Sequence, residues 1–91
     1  MFEEIEAIIG GKVQAVMYRD FVQSAAVRLG AVGYVENAAN GTVRVVAQGT
    51  PDMLKALIDQ LHEGSVLARV ESVAVTWRTP ERQYDDFSVR Y

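Results

Sequence analysis

The spacing of apolar residues changes twice along this chain of 91 residues, from alternation to a helical period and back. Alternation indicates strands that bury one face, whereas apolar residues three and four positions apart indicate amphipathic helices. The helical spacing is carried by Phe21, Ala25 and Leu29 in a first helix and by Leu54, Leu57 and Leu61 in a second. Alternating runs precede, separate and follow these helices. The predicted order is therefore β-α-β-β-α-β, with one further strand at the C-terminal end.

Turn and capping residues mark the boundaries of these elements. Asn40-Gly41 lies between two β-prone runs and predicts a hairpin. Thr50, followed by a proline and an aspartate, has the features of a helix N-cap. Gly10-Gly11 interrupts the first alternating run, so we expect the first strand to end there and to enter a loop.

Two helices in this order most simply cover one face of an antiparallel sheet. The prediction is an α+β fold, a ferredoxin-like βαββαβ sandwich with both helices on one face and an extra C-terminal strand. A chain of 91 residues is too short for a second independent core, so residues 1–91 are expected to form one domain. Such a fold hosts enzymes, RNA binders, regulatory modules and metal chaperones, and so it does not define a function.

Composition excludes several kinds of chemistry. The sequence has no cysteine and one histidine, His62, which excludes disulfides, a cysteine nucleophile and zinc sites with several histidine ligands. The net charge of −3 gives no basic footprint for nucleic acid. The N-terminal residues are acidic and lack a long apolar run, which argues against a leader or a membrane helix. We expect a cytoplasmic protein without nucleic-acid or membrane partners.

The segment from Gly10 to Arg19 joins the first strand to the first helix. Free backbone N–H groups and the positive end of the helix dipole meet at such a junction, which makes it suited to an anion. Arg19 opposes that dipole by about 0.3–1 kcal/mol, which is understandable if a bound anion lies between its guanidinium and the amides. Pairing of Arg19 with Asp20 or another surface acid is an equally supported alternative from this segment alone.

Asn37 ends the second strand, just before the predicted hairpin turn. Its amide offers a donor and an acceptor, so it can hold a water molecule while bonding a second group, but it cannot accept a proton as a general base. An Asx turn that starts the hairpin loop is the alternative interpretation, and the better one for this residue in isolation.

Two motifs resemble those of the acylphosphatase family. Gly11 to Arg19, GKVQAVMYR, is similar to the phosphate loop G-[RK]-V-Q-G-V-x-[FY]-R. Gly33 to Val43, GYVENAANGTV, is similar to the second signature, G-[FYW]-V-x-N-x-x-[DN]-G-x-V. The resemblance covers nearly the whole chain, and both motifs occur in order and at matching spacing.

This resemblance implies hydrolysis of the carboxyl–phosphate bond of small acyl phosphates, without metal, cofactor or covalent intermediate. Arg19 matches the phosphate-binding arginine, and Asn37 matches the asparagine that orients the attacking water. It also implies a monomer, with inorganic phosphate as product or competitive ligand. The predicted phosphate cradle consists of the backbone N–H groups of Gln14, Ala15, Val16, Met17 and Tyr18.

Ala15 departs from the family pattern, which has glycine at this position. If that position needs a positive φ, alanine costs about 1–2 kcal/mol there. The hypothesis is that the loop still binds phosphate. The alternative function is an anion-binding or regulatory module whose catalysis is weakened or lost through Ala15. An RNA-binding domain is a lesser alternative, because the third strand has no aromatic residue.

Several polar and aromatic residues have simpler interpretations. Asp20 and Glu36, which flank the two candidate residues, are expected to point to solvent. The acidic run Glu3-Glu4-Ile5-Glu6 is expected to be a solvated strand face or a frayed terminus rather than a metal site. Trp77 and Tyr91 are expected to pack in the core or at an edge.

Overall fold

The computed structural model describes residues 2–14 and 17–91 and confirms the predicted order of elements. The strands are β1 (Glu3–Lys12), β2 (Val32–Asn37), β3 (Val43–Gly49), β4 (Arg69–Arg78) and β5 (Phe87–Arg90). The helices are α1 (Tyr18–Leu29) and α2 (Pro51–Glu63), and a 3₁₀ turn spans Ala39–Gly41 between β2 and β3. No helix in this described part is long and apolar enough to cross a membrane.

The five strands form one sheet in the order β4-β1-β3-β2-β5. The first four strands pair antiparallel, as the ferredoxin-like prediction requires. β5 pairs parallel with β2, so the sheet is mixed rather than antiparallel throughout. The reason is topological: β4 is one edge, and the connection of residues 79–86 carries the chain across to the other edge, where it enters beside β2 in the same direction.

Alternation on the strands directs one face of the sheet toward both helices. The residues of β1 and β3 on this face are fully buried, and α1 and α2 bury complementary apolar stripes against them. The main contributors are Ile5, Ala7, Ile9, Val43, Val45, Val22, Ala26, Leu54, Leu57 and Leu61. This packing holds the start of α1 at the end of the sheet where β1 and β5 finish and β3 begins.

β1 continues through the two glycines that were expected to end it. Its pairing with β4 shifts register between Gly10 and Gly11, which is a β-bulge. Gly11 has φ 123°, and a Cβ there would lie 2.2 Å from the carbonyl oxygen of Arg69. The glycine pair therefore forms an irregularity within a long strand instead of terminating it, and β1 continues to Lys12.

The open face of the sheet carries an ordered polar network, which corrects the expectation of a solvated acidic strand. Glu4 is only 4% exposed, accepts a hydrogen bond from Gln48 at 2.8 Å and pairs with Arg78. Buried carboxylates persist only with such partners.

Trp77 lies on edge strand β4 and is 41% exposed, so it is at an edge rather than in the core.

Candidate functional site

Helix α1 begins at a residue that provides no side-chain cap. Met17 is in the left-handed region, with φ 60° and ψ 22°, and its carbonyl accepts the N–H of Phe21 at 3.1 Å. Because the cap has no side-chain hydrogen bond, the N–H groups of the first turn, from Tyr18 to Asp20, are available to an anion. Ala15 and Val16, also predicted for the phosphate cradle, lie outside the described residues.

The side chain of Tyr18 anchors this helix end rather than facing the site. It is 1% exposed, and its hydroxyl donates to the carbonyl of Leu61 at 2.8 Å, near the end of α2. Burial raises the pKa of the Tyr18 hydroxyl well above its ordinary value. The start of α1 is thereby fixed in position, and Tyr18 can contribute to the site only through its main chain.

Arg19 is held by the last strand. Its Nη1 donates to the carbonyl of Arg90 at 2.6 Å, and its guanidinium carbon lies 4.8 Å from the centre of the Tyr91 ring. Within residues 2–14 and 17–91, Arg19 forms no ion pair, so the alternative of pairing with Asp20 is not what the structure shows. Tyr91 is 95% exposed, which corrects the expectation that it packs in the core or at an edge.

Asn37 lies at the end of β2, opposite Val43 on β3, and its side chain is exposed. Among the described residues its amide has no hydrogen-bond partner, and so the Asx turn of the alternative interpretation is not formed. The hairpin loop is closed by main-chain atoms instead, with the N–H of Ala38 donating to the carbonyl of Thr42 at 2.8 Å. The amide of Asn37 is therefore available to water.

Arg19 and Asn37 line the same surface depression, which has a volume of about 290 Å³. Glu36, Arg90 and Tyr91 complete its lining. Three elements that are separate in sequence, α1, β2 and β5, thus meet here. A neighbouring depression of about 260 Å³ shares Arg19 and Tyr91 and extends over Met17 toward the start of α1. The guanidinium of Arg19, the N–H groups at the start of α1 and the carboxamide of Asn37, which has no hydrogen-bond partner among the described residues, can hold a small anion and one water.

The carboxylate of Glu36 is held by Arg44 rather than pointing to solvent, which corrects the expectation for this residue. Arg44 bonds Glu6 at 2.6 Å, Glu36 at 3.2 Å and the hydroxyl of Tyr34 at 2.6 Å. Burial disfavours the charged guanidinium, but the hydrogen bonds to Glu6 and Glu36 prevail and raise the pKa of Arg44. Asp20 is exposed, as expected. Glu36 is therefore paired beside the depression, whereas Asp20 lines the neighbouring depression and forms no ion pair within residues 2–14 and 17–91.

Gln14 was predicted to contribute its backbone N–H, and its side chain has a contact that sequence reasoning did not predict. Its Nε2 donates to the carbonyls of Ala38 at 3.1 Å and Thr42 at 2.8 Å, across the hairpin loop after Asn37. The pairing of Glu36 with Arg44 was not predictable from the turn residues, because a two-residue turn at Asn40-Gly41 would place Glu36 opposite Val45, whereas the observed register places it opposite Arg44.

Within the described ranges, no group of three or more histidine, aspartate or glutamate side chains converges as a metal site would require. His62 is exposed in the last turn of α2, where its Nδ1 lies 3.0 Å from the carbonyl of Ile58.

Comparison with known proteins gives a consistent result. Residues 5–89 match the family model described as acylphosphatase. The chain is 43% identical to an acylphosphatase of Dehalococcoides mccartyi strain CBDB1 over 88 residues, covering 96% of this chain and 97% of that protein. It superposes on the acylphosphatase crystal structure from Bacillus subtilis with a TM-score of 0.94, 30% identity and full coverage of both chains. For the acylphosphatase structure from Coxiella burnetii the TM-score is 0.92, with 36% identity and coverage of 98% of this chain and 93% of that one.

Proposed function

We propose that this chain, which belongs to the acylphosphatase family and hydrolyses acyl phosphates, divides its catalytic work between Arg19, Asn37 and the main-chain amides that precede and open α1. The supporting observation is that the guanidinium of Arg19 and the free amide of Asn37 line one depression. Arg19 and the backbone N–H groups of Gln14 to Tyr18 bind the phosphoryl group of a small acyl phosphate. Asn37 orients the attacking water.

The reaction needs positioning more than it needs a strong base. Water attacks phosphorus, the P–O bond to the acyl group breaks, and its electron pair leaves with the carboxylate. One proton of the water stays on the attacking oxygen, and the other passes to a phosphoryl oxygen. An acyl phosphate dianion and water therefore give a carboxylate and dihydrogen phosphate. Because the amide of Asn37 cannot accept a proton, its part is to hold the water in line. Arg19 and the amides stabilise the charge on the equatorial oxygens.

The origin of the assigned residues supports one chain as the active unit. Each residue assigned here is supplied by one copy of the chain, and the core and sheet span the described residues from β1 to β5. We propose a monomer with a single domain over residues 1–91. Inorganic phosphate acts as product and competitive ligand, without nucleic-acid or membrane partners. A cysteine-free sequence is compatible with a cytoplasmic location, which is part of this proposal.

The test compares Arg19→Ala and Asn37→Ala with the wild type, using benzoyl phosphate as substrate and inorganic phosphate as competitor, with a chelator present. Arg19→Ala is expected to raise the inhibition constant of phosphate and to lower kcat, each by at least about tenfold, since a charge-assisted bidentate contact contributes about 1.5–3 kcal/mol. Asn37→Ala is expected to lower kcat by about 100-fold or more while phosphate still binds.

Two matched variants serve as controls. Arg28→Ala removes an exposed cation from the last turn of α1, and Asn40→Gly changes the hairpin loop at a left-handed residue that tolerates glycine. Both are expected to keep wild-type kcat and KM. Wild-type turnover in purified Arg19→Ala or Asn37→Ala would contradict the corresponding assignment.

A further inference from the structure

We infer that Gln14 is a positioning residue, which sets the distance between the phosphate-binding loop and the amide of Asn37. This inference rests on the proposed function, because it concerns how the two halves of that site are held together. The residue itself does not contact the reacting atoms through its side chain.

The contacts of Gln14 connect the two segments directly. Gln14 lies between the end of β1 and the start of α1, and its half-buried side chain reaches the hairpin between β2 and β3. Its Nε2 donates both hydrogens, to the carbonyls of Ala38 at 3.1 Å and Thr42 at 2.8 Å. Since only the nitrogen of the amide can donate to two carbonyls, the orientation of the amide is determined chemically.

The two acceptors are the residues that close the hairpin loop. The carbonyl of Thr42 also accepts the N–H of Ala38 at 2.8 Å. The side-chain amide of Gln14 therefore binds both residues of the pair that closes the loop. Asn37 precedes Ala38 directly and forms the last ladder pair of β2 with β3. Displacement of the loop relative to Gln14 would therefore move the amide of Asn37 relative to the phosphate cradle.

A placement error has a specific kinetic signature. A shift of about 1 Å in a group that orients a nucleophile can lower turnover by about 100-fold, whereas phosphate held by Arg19 and the amides need not lose affinity. We expect Gln14→Met, which has similar length and no donor, to lower kcat at least about tenfold. The inhibition constant of inorganic phosphate is expected to change by less than about threefold in the same variant.

The decisive measurement is a double-mutant cycle with Asn37→Ala, monitored by kcat on benzoyl phosphate. If Gln14 acts through the placement of Asn37, Gln14→Met changes kcat by less than about twofold once Asn37 is alanine. Gln14→Glu, whose carboxylate has the same size but cannot donate, is expected to lower kcat as Gln14→Met does and provides a second variant if methionine impairs folding.

Gln23, which lies on α1, provides a matched control. Gln23 also donates from Nε2 to a main-chain carbonyl, that of Phe87 at 3.0 Å, and is also partly buried. Gln23→Met is expected to keep wild-type kcat, although it loses a comparable bond between elements.

The possible results separate this inference from the proposed function. Equal losses of kcat from Gln14→Met with and without Asn37 would show a merely structural role and overturn this inference alone. Wild-type kcat in Gln14→Glu would also overturn this inference alone. Weaker phosphate binding with unchanged kcat in Gln14→Met would overturn it as well. Wild-type turnover in Asn37→Ala would overturn the assignment of Asn37 and this inference with it.

Discussion

Arg19, which lines the depression, and Arg44, which pairs with the neighbouring Glu36, have different surroundings. Arg44 is held between Glu6 and Glu36, so its charge is used within the sheet. Arg19 contacts a neutral carbonyl and an aromatic ring, neither of which cancels its charge. Five N–H groups on a planar guanidinium allow one to hold the side chain in place while others face an anion. Arg19 is thus oriented without being neutralised.

Replacing Arg44 by methionine tests whether it protects this arrangement. The free carboxylate of Glu36 would then lie beside Arg19 in the same depression and oppose the anionic substrate. We expect KM for benzoyl phosphate to rise about fivefold at low salt, which corresponds to about 1 kcal/mol, and to rise less at high salt because exposed charges are screened. Adding Glu36→Gln to the Arg44→Met variant should restore KM, and a KM that stays high in the double variant would contradict this explanation.

At the scale of elements, strand β1 depends on a bulge that only glycine can occupy. Gly11 combines φ 123° with close approach of the main chain of β4, because an added Cβ would also lie 2.8 Å from the N of Glu71. Strain of the backbone and overlap with backbone atoms act together there, and neither can be relieved by moving a side chain. The bulge therefore links the register of the β1–β4 pair to the direction in which the chain enters the proposed phosphate loop.

Two glycine substitutions separate these effects. Gly41 has φ 78° with nothing within 4 Å of an added Cβ, so Gly41→Ala should lower the free energy of unfolding by only about 1 kcal/mol, the conformational cost alone. Gly11→Ala should lower it by about 3 kcal/mol or more, because overlap is added to a similar backbone cost. Urea denaturation monitored by circular dichroism gives both values. Equal losses in the two variants would show that contact with β4 is unimportant.

On the scale of the whole molecule, one buried hydroxyl joins the two helices behind the site. Tyr18, at the start of α1, packs within the core and donates to the main chain of α2 at Leu61. The ionised form of a buried phenol is strongly disfavoured, and so burial raises the pKa of Tyr18 in the folded state. The position of the start of α1 is consequently coupled to global stability.

Tyr18→Phe tests that coupling through its pH dependence. The folded-state pKa lies above the unfolded value of about 10, so the contribution of Tyr18 is complete below pH ~10 and is lost as pH rises further. At pH 7 the variant should be less stable by about 0.5–1.5 kcal/mol, the value of one hydrogen bond. Above pH ~10 the stability of the wild type should fall to that of the variant and then below it, with an extra slope approaching 1.4 kcal/mol per pH unit. Parallel pH profiles from chemical denaturation would contradict this.

Local patterns were sufficient to predict the order of elements, whereas the roles expected for Arg19 and Asn37 came from the resemblance of two motifs to the acylphosphatase family. Alternation and helical spacing depend on neighbours close in sequence, and so do the signals at Asn40-Gly41 and Thr50. The N-cap at Thr50 formed as predicted, with its hydroxyl accepting from the N–H of Met53 at 3.3 Å. The glycine pair of β1 was misjudged because glycine breaks a pattern equally at a loop and at a bulge, and only the position of β4 distinguishes them.

Contacts between residues that are distant in sequence could not be predicted from local patterns. Nothing near Phe87–Arg90 in sequence indicates that this strand lies parallel to β2, yet that neighbour provides the carbonyl and the ring that hold Arg19. The same holds for Gln14, whose acceptors are 24 and 28 residues away. Residue types and periodicity thus specify which chemical groups are present and on which element they lie. Their distances depend on how the sheet orders its strands, because hydrogen bonds and packing across a sheet act through space and leave no regular spacing along the chain.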